Sequence, residues 1–361
     1  MNFWQQLRQQ KKPFFCVAPM ADVTDAAFRQ MIARYGKPDV IWTEFVSANG
    51  LMSEGRGVLQ KDLVFTEGER PIVAQLFSAD PVHMESAAKL CAELGFDGID
   101  INMGCPDKTI EKQGAGAGMI KTPDKAFAVI AAAKRGIAAA GRDIPVSVKT
   151  RVGYYSPAIN EWIRGILEQG IAALTVHART RKDLSKVPAQ WAYIKEVAAL
   201  RDRIAPETVI VGNGDVTSLA DGTEKAVASG ADGVMVGRAL FGNPWFFDPT
   251  RKVVATLPQK RSWFVRKLPF LRRWFDTKRK APVALGVPIT IEERLRVMVE
   301  HAQLFEKLLG DVKSFAVMKK HFKAYVTGFE GAKELRITLM DTAKNATDVA
   351  RIVDDFLTHK V

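Results

Sequence analysis

The stretch Gly98–Lys121, GIDINMGCPDKTIEKQGAGAGMIK, decides the reading of this chain. Residues Gly98–Met103 form an apolar run of strand length that stops at Gly104-Cys105-Pro106, and a glycine-dense loop and a helical pattern follow. Such a stop places the amide of Asn102 and the thiol of Cys105 together at the end of a strand. A thiol there can donate a proton or act as a nucleophile, and an amide can read the edge of a planar heterocycle. A lone cysteine is also a common small core residue, so its role depends on the rest of the chain.

Working outward, the same layout of apolar strand and polar strand end recurs. Strands are expected at Phe14–Pro19, Val40–Glu44, Ile72–Leu76, Gly98–Met103, Val146–Lys149, Leu174–His177, Val209–Gly212 and Gly233–Val236. Most are continuous apolar runs, the pattern of strands covered on both faces. Helices are expected between them: Thr24–Tyr35 with a threonine cap, Pro81–Leu94 after Asp80, Pro123–Ala139 after Thr122, Pro157–Gln169 after Ser156, Pro188–Leu200, and Ser218–Ser229 after Thr217. Cap residues followed by proline in the first turn are helix starts with a physical cause. Eight such units over about 240 residues match an α/β fold of the (β/α)8 TIM-barrel type. A doubly wound sheet is the rival, but no GxGxxG follows the first strand. From about Ile289 the pattern becomes all-helical, with amphipathic stretches at Ile291–Leu309 and Val312–Val326. The expected organisation is a barrel over 1–250, a basic aromatic insertion or linker over 251–288, and a smaller all-helical C-terminal domain over 289–361.

Composition narrows the functional classes. The chain has 361 residues, 47% hydrophobic and 25% charged, as in a globular protein. No apolar run approaches the roughly 20 residues that span a bilayer, and the N-terminus, MNFWQQLRQQKKPFF, lacks a secretory pattern. Cys16, Cys91 and Cys105 stand at unrelated spacings, so neither a disulfide framework nor a metal site is expected, and a reducing, cytoplasmic setting is. The net charge is +12 and unevenly placed: Arg251 to Lys280 holds eleven basic residues against one acid, Asp276. A polyanionic partner such as nucleic acid, or an anionic membrane surface, is the physical expectation.

In a barrel of this type the active site is built at the C-terminal ends of the strands. Those ends carry Pro19-Met20, Thr43-Glu44, Gln75, Asn102 with Cys105, Lys149 with Arg151, His177 with Arg179, Asn213-Gly214-Asp215, and Gly237-Arg238. Singly, each has a structural explanation: a solvated lysine, a core histidine, a turn. As a ring they point to a site. Glycine-rich ends on the last two strands, with Arg238, form a phosphate grip. Gln75 suits the isoalloxazine edge, and the Lys149 ammonium suits the negative charge of a reduced flavin. One phosphate grip with these groups argues for FMN, and no second nucleotide site argues for FAD.

The segments APMADVTDAAFR, WTEFVSANGL, PIVAQLF, INMGCPDKTIEKQGAGAGMIK, VKTRVG, VHARTR, VGNGDV, GADGVMVGRALFGNPW and MKKHFKAYVTGFEGAKELR, in this order, resemble the tRNA-dihydrouridine synthase family. The resemblance spans the chain except 251–288. It implies an FMN enzyme that reduces the C5=C6 bond of a uridine in tRNA, recharged by NADPH. It further implies Cys105 as general acid, Asn102 and Arg179 as substrate contacts, and Pro19, Met20, Gln75, Lys149, His177, Asn213, Gly214, Asp215, Gly237 and Arg238 as flavin-site residues. Two departures stand out: Ala178 replaces a usual glycine, and Asp183–Pro188 replaces a usual Tyr-Gly pattern before Trp191. No stable protein partner is implied.

The other readings are a small-molecule reductase resembling a dihydroorotate dehydrogenase, a non-catalytic RNA-binding barrel, and a Schiff-base aldolase at Lys149. The basic charge and the helical tail disfavour the first, and an aldolase has no use for Cys105 after Asn102. In the insertion, Trp263, Phe264, Leu268, Leu271, Trp274 and Phe275 are interleaved with cations. Contact with tRNA, docking of a linker on the barrel, and attachment of 251–280 to a membrane surface are its three readings. The uridine modified is not legible.

Overall fold

The computed structural model describes residues 1–253 and 286–358. Eight strands form the fold: β1 (Phe14–Val17), β2 (Ile41–Ser47), β3 (Ile72–Phe77), β4 (Gly98–Met103), β5 (Val146–Arg151), β6 (Ala173–His177), β7 (Val209–Asn213) and β8 (Gly233–Val236). All neighbours pair in parallel, and β1 pairs with β8 from Phe14↔Gly233 to Val17↔Val236. A bridge between Cys16 and Val40 joins β1 to the chain entering β2 and closes the ring. The protein is a (β/α)8 barrel followed by a helical C-terminal region, the fold class expected from the strand pattern.

Side chains alternate along each strand between barrel interior and helix layer. Inside, Phe14, Cys16, Val40, Trp42, Val73, Ala173, Val209, Val211 and Met235 form one apolar cluster. The helix α1 (Phe3–Gln9), before β1, adds Trp4 and Leu7 to it and plugs the N-terminal end of the barrel. Outside, the strands pack against α2 (Ala26–Tyr35), α3 (Pro81–Glu93), α4 (Pro123–Ala139), α5 (Trp191–Ile204) and α6 (Leu219–Ser229) in one continuous core.

Several helix starts differ from the sequence expectation, each for a visible reason. α2 is capped by Asp25, whose carboxylate accepts from Phe28 N at 2.9 Å; the Thr24 hydroxyl is instead occupied by Met20 N at 2.8 Å. The stretch expected as a helix from Pro157 opens with a π-type turn at Ile159–Ile163 and a short helix at Arg164–Leu167. There Ala158 N is drawn to Val152 O at 2.8 Å and no Ser156 cap forms. α5 starts at Trp191 rather than Pro188, because Ala189 N and Gln190 N are held by Asp215 and Ala178 O. α6 is capped by Ser218, not Thr217.

Beyond β8, a short strand β9 (Arg251–Val253) pairs in parallel with β10 (Val287–Ile289). The bulk of the basic insertion lies between them, outside the described residues. The tail comprises α7 (Ile291–Leu309), α8 (Met318–Tyr325), α9 (Ala332–Thr342) and α10 (Ala346–Thr358). The single helix expected over Val312–Val326 is instead a 3-10 turn, Phe315–Val317, leading into α8. The tail packs on the barrel beside α2, with Phe28 stacked on His301 at 5.2 Å and 4.9 Å from His321. Lys313 reaches Glu44 and Asp62 at 2.7 Å each, and Lys320 reaches Asp22 at 3.1 Å, so ion pairs fasten the tail to the rim of strands β1 and β2. Among the described residues no helix is long and apolar enough to cross a membrane.

Candidate active site

The polar residues read from the strand ends converge on one rim. Register sets Asn102 beside Lys149, Arg151 beside His177, and His177 beside Asn213 across consecutive strands. Gly237 closes the ring toward β1: a Cβ built there would lie 3.5 Å from Met20 Sδ and 3.6 Å from Ala18 Cβ. Pro19 follows Ala18 in the same segment.

A directed chain of hydrogen bonds runs beneath the rim. Asn102 Oδ1 accepts from Gly104 N at 3.1 Å and Cys105 N at 2.9 Å. Its Nδ2 donates to Gln75 Oε1 at 2.9 Å, and Gln75 Nε2 donates to Asp100 Oδ2 at 2.7 Å. Ser147 Oγ donates to the other Asp100 oxygen at 2.6 Å. The backbone N–H groups at one end and the carboxylate at the other fix both amide orientations. Asn102 thus positions the Cys105 loop, and Gln75, fully buried, has both amide atoms engaged within the chain. Asp100, which sequence reasoning missed, anchors the chain; burial raises its pKa to about 6. Its signal was the alternation with Asn102, two residues apart on one strand face.

The Cys105 loop is folded tightly. Ala117 N donates to Cys105 O at 2.9 Å, and Gly116 takes φ +57° where a Cβ would meet Cys105 O at 2.8 Å. Burial is the main cause holding the Cys105 pKa above that of a free thiol. At neutral pH the group is therefore S–H, a proton donor rather than a thiolate nucleophile.

Lys149 makes no hydrogen bond or ion pair among the described residues, and burial, with Arg151 nearby, lowers its pKa to about 8. His177 is kept neutral, first by burial and then by Arg151, Lys149, Arg179 and Arg238. Its Nε2 lies 3.1 Å from Arg179 Nη1; arginine only donates, so Nε2 accepts and the ring proton sits on Nδ1. The predicted substrate residue Arg179 is a buried brace, 3% exposed, bound to His177, Val187 O and the Asp215 carboxylate. Asp215 also accepts from Arg238 Nη2 at 2.5 Å and Ala189 N at 2.9 Å, and its hydrogen bond from Arg179 is the leading cause of its lowered pKa. Asp215 therefore aims Arg238, whose side chain stays 65% exposed. Gly214 bends the chain at φ +134° beside His177, and Asn213 Nδ2 donates to Met235 O at 2.8 Å. Arg151 ties the loops together, donating to Gly104 O at 2.8 Å, Thr180 O at 3.0 Å and Leu184 O at 3.1 Å.

Fold and site together define a class: a (β/α)8-barrel enzyme whose C-terminal mouth holds a protonated thiol, a half-buried ammonium with no hydrogen-bond partner among the described residues and an exposed arginine. The family model described as "Dihydrouridine synthase (Dus)" matches residues 16–360. A protein named "Probable tRNA-dihydrouridine synthase" from Staphylococcus aureus is 37% identical over 358 residues, covering 98% of this chain and 95% of its own. "Probable tRNA-dihydrouridine synthase 2" from Bacillus subtilis is 36% identical over 98% of this chain and 96% of its own. The chain belongs to the dihydrouridine synthase family, a family of FMN-dependent oxidoreductases. Among solved structures, a variant of NCR from Zymomonas mobilis aligns over 78% of this chain and 90% of its own, with 16% identity and a TM-score of 0.43.

Proposed function

We propose that this protein reduces the C5=C6 bond of a uridine in tRNA to dihydrouridine, using FMN, with NADPH as reductant and Cys105 as proton donor. The observation that carries the reading is the Cys105 thiol, protonated at the barrel mouth on a loop whose backbone N–H groups Asn102 holds, with Gln75 behind it.

The donor set fits FMN. An ammonium without a protein partner at Lys149 is suited to the negative charge of a reduced isoalloxazine, and Arg238, beside the glycine turns at Gly214 and Gly237, is suited to a phosphate. The Asn102 amide, nearer the rim, is suited to a heterocycle carbonyl, and Gln75 is proposed to stand behind it at the isoalloxazine edge. When bound, the flavin supplies hydride to C6. Cys105 delivers a proton to C5, which is why a protonated thiol is required. Asn102 holds the Cys105 backbone, and neutral His177 and Arg179 support the floor beside it. The target base must leave its stack to reach this rim, so phosphate-gripping cations outside the pocket are part of the task. The tail over 289–361 and the basic insertion over 251–288 are proposed to supply them, with 1–250 as the catalytic unit. A cytoplasmic location suits such an enzyme.

The test is to purify the protein, record its visible spectrum, and incubate it with NADPH and tRNA lacking dihydrouridine. A flavin spectrum and dihydrouridine detected by mass spectrometry support the reading. A colourless protein that leaves tRNA unreduced when supplied with FMN would overturn it.

A further inference from the structure

Outside the pocket, one part of the rim is unused by the reaction and unusual in character. The loop after β5 presents Tyr155 to solvent with 70% of its surface exposed. The ring stands edge-on to Tyr154, centroids 4.7 Å apart and planes at 71°. Tyr154 in turn lies beneath Lys121 Nζ at 3.9 Å and beside the Arg181 guanidinium at 5.6 Å. Lys121 is also 5.9 Å from the Tyr155 ring centre.

The loop is tethered. Arg181 N donates to Gly153 O and Lys182 N to Tyr154 O, both at 2.9 Å. Arg181 also pairs with Glu111 and reaches Pro106 O at 3.3 Å, which connects the aromatic pair to the residue next to Cys105. An exposed aromatic face, fixed in place and flanked by cations, is the composition that holds an unpaired nucleobase and its phosphate. Removing a uridine from its stack leaves a neighbouring base face uncovered, and Tyr155 stands on the same rim as the thiol that would meet that uridine.

We propose that Tyr155 is a stacking platform for an unpaired tRNA base next to the reacting uridine, with Lys121 taking an adjoining phosphate. The inference rests on the tRNA-reducing function proposed above. Tyr154 and Lys121 hold the platform upright, and Arg181 sets its position relative to Cys105.

The experiment compares the full-length, flavin-loaded wild type with Tyr155→Ala, Tyr155→Phe and Lys121→Ala, using unmodified tRNA. Both Kd from filter binding and steady-state constants are measured across a salt series. Tyr155→Ala is expected to raise Kd and KM about fivefold or more, with the loss in KM rather than kcat and the salt slope unchanged. Tyr155→Phe should restore wild-type values, because stacking needs the ring and not the hydroxyl. Lys121→Ala should make the salt slope shallower by about one. Wild-type Kd and KM in Tyr155→Ala, or a Phe variant as weak as Ala, would overturn the platform. If the wild type binds tRNA without reducing it, the reduction reading fails while the Kd ratios still decide the platform. If it does not bind tRNA, both fail.

Discussion

At its N-terminal end the barrel interior is closed by rings: Trp4 lies 5.4 Å from Trp42 and 6.0 Å from Phe14. At the C-terminal end the same inward register carries Gln75, Asn102, Lys149, His177 and Asn213. On β7 the change takes one step, from Val211 to Asn213; on β3 it runs from Val73 to Gln75. The lesson is a division of labour within single strands. Burial of apolar area at one end supplies cohesion, which lets the other end keep a half-buried ammonium without a hydrogen-bond partner among the described residues and a chain of amides and carboxylate whose desolvation must be offset by hydrogen bonds.

Substitutions at the two ends should therefore fail differently. Cys105→Ala is expected to lower uridine reduction by about 10²- to 10⁴-fold, the usual weight of a general acid, while the melting temperature stays near that of the wild type. A loss of stability instead of activity would erase the contrast. Trp4→Ala should cost about 3–5 kcal/mol in denaturant unfolding, with activity per folded molecule retained; a small cost would mean that the plug is not a keystone.

A third region, the seam between barrel and tail, sharpens the comparison. His301 and His321 are fully buried with no hydrogen-bond partner on any ring nitrogen among the described residues. Burial, with Lys320 nearby, lowers the His321 pKa to about 3. The unfolded chain takes up a proton there below about pH 6.5, and the folded protein refuses it until about 3. The folded state thus binds fewer protons in this window, and the contribution of His321 to stability falls as pH falls. Relative to His321→Leu, the wild type should lose about 1.4 kcal/mol per pH unit between pH 6 and 4. Parallel pH curves for the two proteins would show that His321 does not carry this pH dependence. The smallest effect belongs to Lys149→Met: relief of the desolvated ammonium should stabilise the flavin-free protein by on the order of 1 kcal/mol, while flavin is retained more weakly. Weaker stability with unaltered flavin retention would place Lys149 with the plug rather than with the site.

Much of this was legible in the residues because strands covered on both faces are written as apolar runs, and a (β/α)8 barrel places its chemistry at their ends. Gly98–Met103 and Gly233–Val236 were read to the residue. Less was legible where a side chain chose between local and distant partners. Thr24 and Asp25 are both cap residues, and only the course of the β1 loop decides that the threonine serves Met20. β5 runs on to Arg151 because that guanidinium closes on carbonyls from two other loops. The sequence identifies Gln75, Asn102, Arg179 and Asp215 as polar residues at strand ends, but not which of them would be absorbed into holding the others. That allocation depends on register between strands far apart in sequence. The Lys313 ion pairs and the Tyr155 loop were invisible for the same reason.

The parallel pairing of Arg251–Val253 with Val287–Ile289 ties the strand the chain leaves by to the strand it returns by, residue against residue from Arg251↔Val287 to Val253↔Ile289. Whatever is strung between two adjacent posts can be lengthened, trimmed or exchanged without moving the posts. The sequence between the two strands can thus change in length or charge while the barrel and its rim keep their geometry.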